Sequence, residues 1–327
     1  MMRLLSSRRT ASVVSLSLGV CLAGLPGAAS AADAGSSLTA AEMATAIRAA
    51  AAASASAMAE AGWKATVVWK NETGSFVYDD KRGQASMLRT GSKENVEWYG
   101  VDGKGEYAPI EPDDVPALRM MGRPGVTHVY RPASPGEFTS VVSINFPDPA
   151  FLIELEADTA AAGTRTVRGD GGADYAYTNT EGAEAAIHVD ADGTVHAAEL
   201  TAGDDVSRYA FAYGPQKVAL PAAAVTITSA ALRTGRIYLH MADEVEDAAK
   251  SSRWEALNAA KGKPVRVAAL RKIVTKNVNL FNENNGGMLK TTSVTGGAGI
   301  HATNPWTRKT VTWTVTASGK NVVAARR

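Results

Sequence analysis

Two long stretches of this chain change hydropathy at every second residue, and that alternation constrains the fold more than any other feature. In the first, Trp63, Ala65, Val67 and Trp69 alternate with Lys64, Thr66, Val68 and Lys70. Shorter runs at 76–78, 85–88 and 95–101 follow, separated by Asn71-Glu72-Thr73-Gly74, Lys81-Arg82-Gly83 and Gly91-Ser92. Asp102-Gly103 is a tight-hairpin signal leading into 105–110. The second stretch runs through 165–168, 173–179, 185–190, 194–200 and 206–213, with turns at Asp190-Ala191-Asp192-Gly193 and Ala202-Gly203-Asp204-Asp205. Side chains alternate between the two faces of a strand, so these patterns predict two antiparallel meanders, each with one apolar face.

Helical signals bracket the meanders. Thr39-Ala40-Ala41-Glu42 is a capping box, flanked by Leu38 and Met43 at staple spacing, and an alanine-dominated run continues to Gly62. Its apolar face would hold Met43, Ile47, Ala50, Ala51 and Met58. A helix is predicted over 112–121, with Pro112 early, Gly122 past the end, and Leu118, Met120 and Met121 on its soft side. A strand at 126–130 comes next. Asp148 then caps a short helix with Pro149 at its first position, and Phe151, Leu152 and Leu155 share one face. After Thr228 the composition changes. Helices are predicted over 230–250, 254–260 and 265–280, and Asn284-Asn285-Gly286-Gly287 breaks the last. Strands follow at 289–295, 299–302, 310–316 and 321–325, with Val311, Trp313 and Val315 alternating with threonines. Pro221 and the alanines after it mark a boundary, so a chain ending at Ala224 is predicted to fold alone.

The first 31 residues are set apart. Arg3, Arg8 and Arg9 precede an uncharged apolar run over 11–25, and Ala29-Ser30-Ala31 supplies small residues where a signal peptidase cleaves. This is the pattern of a secretory leader cut after Ala31, too short and too broken to span a bilayer. It places the mature chain in the cell envelope or outside the cell. Cys21, the only cysteine, lies inside the leader. As a lipid-anchor site it is disfavoured by the bulky Val20 before it, and an apolar signal-core residue is the simpler reading. The mature chain can then form no disulfide, and its stability rests on a packed core. Removing the leader leaves 31 basic against 33 acidic residues. Such a balance offers no basic face for nucleic acid.

Motifs that name a reaction are missing: there is no nucleophile elbow, no H-E-x-x-H, no phosphate-binding loop and no dinucleotide fingerprint. His188 and His196 flank a predicted hairpin turn and can approach each other. A metal is the sharper reading of that pair and half-exposed strand residues the plainer one. Asp190-x-Asp-Gly resembles part of a calcium loop but lacks its remaining ligands. Asp113/Asp114 and Glu154/Glu156 are not placed as acid–base couples. No catalytic residue, metal or cofactor is therefore assigned. What remains is apolar: Val67, Trp69, Phe76, Trp98 and Phe211 on strands, with Met120, Met121, Phe151 and Leu155 on the helices between the meanders. These nine are the candidate ligand-binding residues. Periodicity fits two pictures, a filled core or a cavity under mobile helices in which methionine adapts to irregular ligands.

The order of leader, capped helix, meander, short proline-bounded helices and second meander with a D-x-D-G hairpin resembles the LolA-like lipoprotein-carrier superfamily. The likeness is to its actinobacterial secreted and mycobacterial lipid-carrier lipoprotein members in particular. The segment Val101-Asp102-Gly103-Lys104-Gly105-Glu106-Tyr107-Ala108-Pro109-Ile110, followed by the helix near Leu118, carries the local likeness. The resemblance covers roughly 38–227. It implies an α+β fold, an antiparallel half-open β-barrel with a helical lid, that binds acyl chains, lipoproteins or glycolipids without catalysis. The chain departs from the family in lacking a credible lipobox and in its smaller C-terminal α+β module, 228–327. The expected function is non-catalytic: a secreted envelope protein holding a lipid or other apolar ligand. The alternative is an envelope sensor that binds a protein partner, with residues 228–327 as its contact. An enzyme centred on His188 and His196 is a third, weaker class.

Overall fold

The computed structural model describes residues 35–91, 95–134, 136–284 and 286–327. The predicted leader, with Cys21 and its expected cleavage position after Ala31, lies outside the described residues. The fold is α+β, with one 13-stranded sheet, a separate four-stranded sheet and seven helices among the described residues.

A short strand β1 (Ser36–Leu38) precedes α1 (Ala40–Ala61), and the capping box forms as the sequence predicts. Thr39 Oγ1 accepts from the Glu42 amide at 3.3 Å while the Glu42 carboxylate accepts from the Thr39 amide at 2.8 Å. The first meander comprises β2 (Trp63–Trp69), β3 (Glu72–Asp79), β4 (Gln84–Thr90), β5 (Val96–Val101) and β6 (Gly105–Pro109). A single 3-10 turn leads into α2 (Val115–Met120), and β7 (His128–Pro132) returns beside β6. Two helices then run in succession, α3 (Glu137–Asn145) and α4 (Pro149–Thr159). The second meander is β8 (Ala160–Val167), β9 (Ala173–Asn179), β10 (Glu184–Val189), β11 (Val195–Ala202) and β12 (Asp205–Tyr213).

The two meanders join into one sheet because β12 pairs antiparallel with β2, Tyr209 opposite Val67 and Phe211 opposite Ala65. A three-residue strand β13 (Thr226–Thr228) pairs parallel with β7 and forms one edge, while β1 forms the other beside β8. These edges do not pair with each other, so the sheet is open and no closed barrel forms. One face of β9–β12 and β2–β5 is buried under α1, α3 and α4 in a single core that includes Met43, Ile47, Val67, Phe76, Trp98, Phe138, Ile153 and Ile187. Alanines at 50 and 51 keep α1 shallow, and Ser54 on the same face accepts the Val195 amide at 3.0 Å.

Next come α5 (Ser229–Leu239), α6 (Met241–Ala260), α7 (Val267–Asn284) and the strands β14 (Lys290–Val294), β15 (Gly297–Thr303), β16 (Thr310–Ser318) and β17 (Asn321–Arg326). The helical run predicted over 230–250 breaks at His240, and the interruption expected near 251–253 is absent: α6 passes through it. Helices α6 and α7 cover one face of the four-stranded sheet over Val245, Ala249, Leu270, Val274, Ile300 and Val315. By contrast, α5 packs on α2 and β7. There Leu118, Val126, Val129, Ile227 and Leu232 form a third core. Gly235 faces Met121 at this contact, and a Cβ there would oblige the methionine side chain to move. Arg236 of α5 meets the buried Asp114 through two bonds, the Nη2–Oδ2 one at 2.6 Å. Residues on both sides of 228 thus share one core and one ion pair. No helix among the described residues is long and apolar enough to cross a membrane.

Candidate functional site

Strand alternation places Trp63, Ala65 and Val67 on the covered face of β2, Phe76 and Tyr78 on that of β3, and Trp98 on that of β5. Above them α3 supplies Phe138 and Val142, and Phe146 follows at its C-terminal end. The ring of Phe146 is the hub. Its centroid lies 5.4 Å from Phe76, 6.0 Å from Trp98 and 6.2 Å from Trp63, each at a steep angle. Phe138 stacks on Tyr78 and Trp98 at 6.3 and 6.2 Å. Edge-to-face and offset contacts are the arrangements the ring quadrupoles favour. Gly100 leaves room for them, since a Cβ there would meet both Trp98 and Phe138.

Rigid rings meeting at angles leave space that smaller side chains would fill. A cleft of about 530 Å³ opens between the end of α1, the sheet, α3 and the start of α4. Its walls are Met58, Trp63, Tyr78, Phe138, Val142, Phe146 and Phe151, with Thr139, Ser143 and Asp148 as the polar groups. Trp63, Phe138 and Phe146 are buried in the wall, whereas Phe151 is 60% exposed at the mouth. Asp148 caps α4, its Oδ1 accepting the Phe151 amide at 3.0 Å. Tyr78 titrates above its ordinary value because burial, and then the charges of Asp80 and Asp102, disfavour the phenolate. A second void of about 10 Å³, room for one water, lies behind Phe138 beside Trp98 and Glu106. There the Trp98 indole donates to the Glu106 carboxylate at 2.7 Å.

The nine predicted residues fall in five places. Val67, Phe76, Trp98 and Phe211 are buried in the large core, with Trp69 packed against it. Phe151 lines the cleft. Leu155 is 51% exposed and lines none of it. Met121 belongs to the small core under α5. Met120 faces the C-terminal module, its sulfur 2.9 Å from the Asn304 amide nitrogen. The helix that carries the two methionines therefore covers only the β6–β7–β13 end of the sheet; the aromatic strands are covered by α3. Phe138, Val142 and Phe146 were missed, although 138, 141, 142 and 146 carry apolar residues at helical spacing.

His188 and His196 do approach, with ring centroids 5.8 Å apart. Each has its own carboxylate: His188 Nδ1 bonds Asp174 at 2.8 Å, and His196 Nδ1 lies 2.8 Å from Asp190 without the alignment of a hydrogen bond. Arg168 joins Asp174 and Asp190. Burial opposes the Asp174 charge, but His188 and Arg168 outweigh it and hold this carboxyl below its usual range. The result is a network of ion pairs and hydrogen bonds on the outer face. Among the described residues no three His, Cys, Asp or Glu side chains are grouped to hold a metal. The Asp190–Gly193 turn is closed from within, Asp192 accepting the amide and hydroxyl of Thr194.

No protein-family model matches the chain, and no curated protein matches it.

Proposed function

We propose that this protein is a non-catalytic carrier or receptor that holds an apolar ligand in the cleft under α3, as a LolA-like half-barrel would. One observation carries the reading: a cleft of about 530 Å³ walled by aromatic side chains, with three polar groups at its edge. That volume and that lining belong to the range of small-ligand pockets. The extent of the shared core supports a curled sheet, since strands from β9 to β5 contribute to one cluster under only three helices. The leader pattern supports export to the envelope. Among the described residues that line the cleft there is no histidine, lysine or cysteine.

The test is equilibrium binding of Nile red, a neutral apolar dye, with native mass spectrometry of protein secreted by its own host. Expected are saturable binding by the full chain, its loss in Val142→Trp and Thr139→Trp, which fill the cleft, and a co-purifying mass. A ligand-free native mass with no dye binding overturns the proposal. A second reading, in which residues 228–327 contact an envelope protein, is favoured by Trp254, which stands 68% exposed on α6. A partner that co-purifies equally with Trp254→Ser removes that surface from consideration.

A further inference from the structure

Resting on the cleft reading above, we propose that the cleft discriminates by head-group charge: it takes amphiphiles whose polar end is cationic or neutral and rejects those whose polar end is anionic. The aromatic walls come first. Trp63, Tyr78, Phe138 and Phe146 offer ring faces and edges to one space, and ring faces attract a cation, most strongly where water is scarce. Burial keeps Tyr78 a neutral phenol, so its ring retains this character without adding a charge.

The second observation is the charge at the mouth. Asp148 lines the cleft, and among the described lining residues there is neither lysine nor arginine. One lone-pair site of its carboxylate is used by the Phe151 amide, and a carboxylate has about four. The positive end of α4 offsets part of this charge, equivalent to about half an elementary unit, and leaves the site negative. The surroundings do not reverse the sign. From 132 to 164, the stretch that contains both lid helices, the sequence holds Glu137, Asp148, Glu154, Glu156 and Asp158 and no basic residue. Arg48 reaches across from α1, but it is paired with Asp158 at 2.8 Å. An acyl chain ending in a carboxylate or phosphate would bring like charge to this mouth, with the hydroxyls of Thr139 and Ser143 but no basic side chain among the described lining residues to receive it. A quaternary ammonium or a hydroxyl would meet Asp148 and the rings together.

The experiment compares three probes of equal chain length below their micelle concentrations at pH 8: dodecyltrimethylammonium, dodecanol and dodecanoate. Each displaces Nile red from the full chain. Expected is a preference of about tenfold for the ammonium over the carboxylate, with the alcohol between. Asp148→Asn keeps a good helix cap and removes the charge, so it retains the fold and brings the two ionic probes close to parity. Circular dichroism confirms the fold, and Val142→Trp reports binding outside the cleft. If no probe and no dye binds, the cleft reading itself fails. If all three bind equally, the cleft stands and the charge selection is wrong. A preference that survives in Asp148→Asn, or ammonium binding that survives in Val142→Trp, also overturns the proposal.

Discussion

The 13-stranded sheet and the four-stranded sheet are each covered on one face by helices, yet only the first has aromatic rings among its buried core residues; Tyr238, Phe281 and Trp313 pack partly buried against the second. The core of the first brings together Trp63, Phe76, Trp98, Phe138, Phe146 and Phe211. The buried hydrophobic residues of the second are alanine, valine, leucine, isoleucine and methionine, Ala248, Ala249, Ala256, Ala298 and Ala302 lying among Val245, Val274, Val315, Leu270 and Ile300. Small aliphatic side chains let α6 approach its sheet closely and interdigitate at the density of a crystal. Aromatic rings are large and rigid, and three or four meeting at steep angles cannot close every gap. The same contrast runs inside the large sheet, where alanine-rich α1 sits close to the strands and the cleft opens where α3 and its phenylalanines take over. The open space in this molecule thus coincides with the aromatic part of the helix–sheet contact.

The sharpest way to break this contrast is to remove the tie that makes α5 part of the larger unit. Asp114 is buried at the start of α2, and Arg236 neutralises it from α5. Arg236→Ala leaves a carboxylate without its partner. It is expected to cost about 2–4 kcal/mol in urea unfolding, below the full cost of a broken buried pair because the arginine is half exposed. By the same argument a chain ending at Ala224 lacks β13, Leu232 and Arg236 and is less stable than one ending at Leu239. Equal stability of the two fragments would show that α5 belongs with the C-terminal module, as the composition shift at 228 suggests.

The next test concerns filling. Ala249 is fully buried in α6, so Ala249→Leu forces extra carbons into a closed core and is expected to cost about 1–3 kcal/mol. Val142→Leu adds bulk toward the cleft and is expected to be neutral or slightly stabilising, helped by the better helix propensity of leucine. Chemical denaturation of both variants decides the matter. A similar loss in each would mean that the cleft is as tightly determined as the aliphatic core.

Much of this architecture was legible. The capping box located α1, and β9 occupies the residues 173–179 that alternation predicted, because local signals there agree with the burial the fold imposes. Other elements were not. Segment 137–145 is rich in β-branched residues and has no side-chain cap bond, so its helix is held by two phenylalanines docked on rings from three strands. Three-residue β1 and β13 are too short to alternate, and the break at His240 has neither glycine nor proline to announce it. The site was half legible for the same reason. Strand aromatics such as Trp98 and Phe76 stand out by period, but the face that covers them came from the one segment left unassigned. The methionine helix, which does read clearly, turns to α5 and to Asn304 instead.

The smallest effect at neutral pH is nil, and it separates the two regions only in alkali. Tyr99 and Tyr213 are each pushed up to about 12, and Tyr177 is raised as well. Burial is the leading cause in all three. Glu97 adds to it for Tyr99 and Glu156 for Tyr177, while the charge of Asp148 adds to it for Tyr213. In the unfolded chain these phenols ionise near 10. Between pH 10 and 12 the unfolded state therefore binds fewer protons than the folded one, and stability falls as pH rises. The contribution is complete below pH 10 and lost through pH 12. All three lie in the large sheet, and residues 241–327 contain no tyrosine. The C-terminal module has instead the exposed Lys250–Glu246 pair, whose contribution is small. Urea unfolding of the full chain at intervals from pH 8 to 12 is expected to steepen beyond pH 10. The slope flattens in Tyr99→Phe, which removes a titrating group at the cost of its bond to Glu97, and in Tyr213→Phe, which forfeits the 2.8 Å bond to the Val195 carbonyl. An alkaline limb unchanged by both substitutions would mean that Tyr99 and Tyr213 titrate alike in the folded and unfolded chain, so that their burial does not set the alkaline stability of the large sheet.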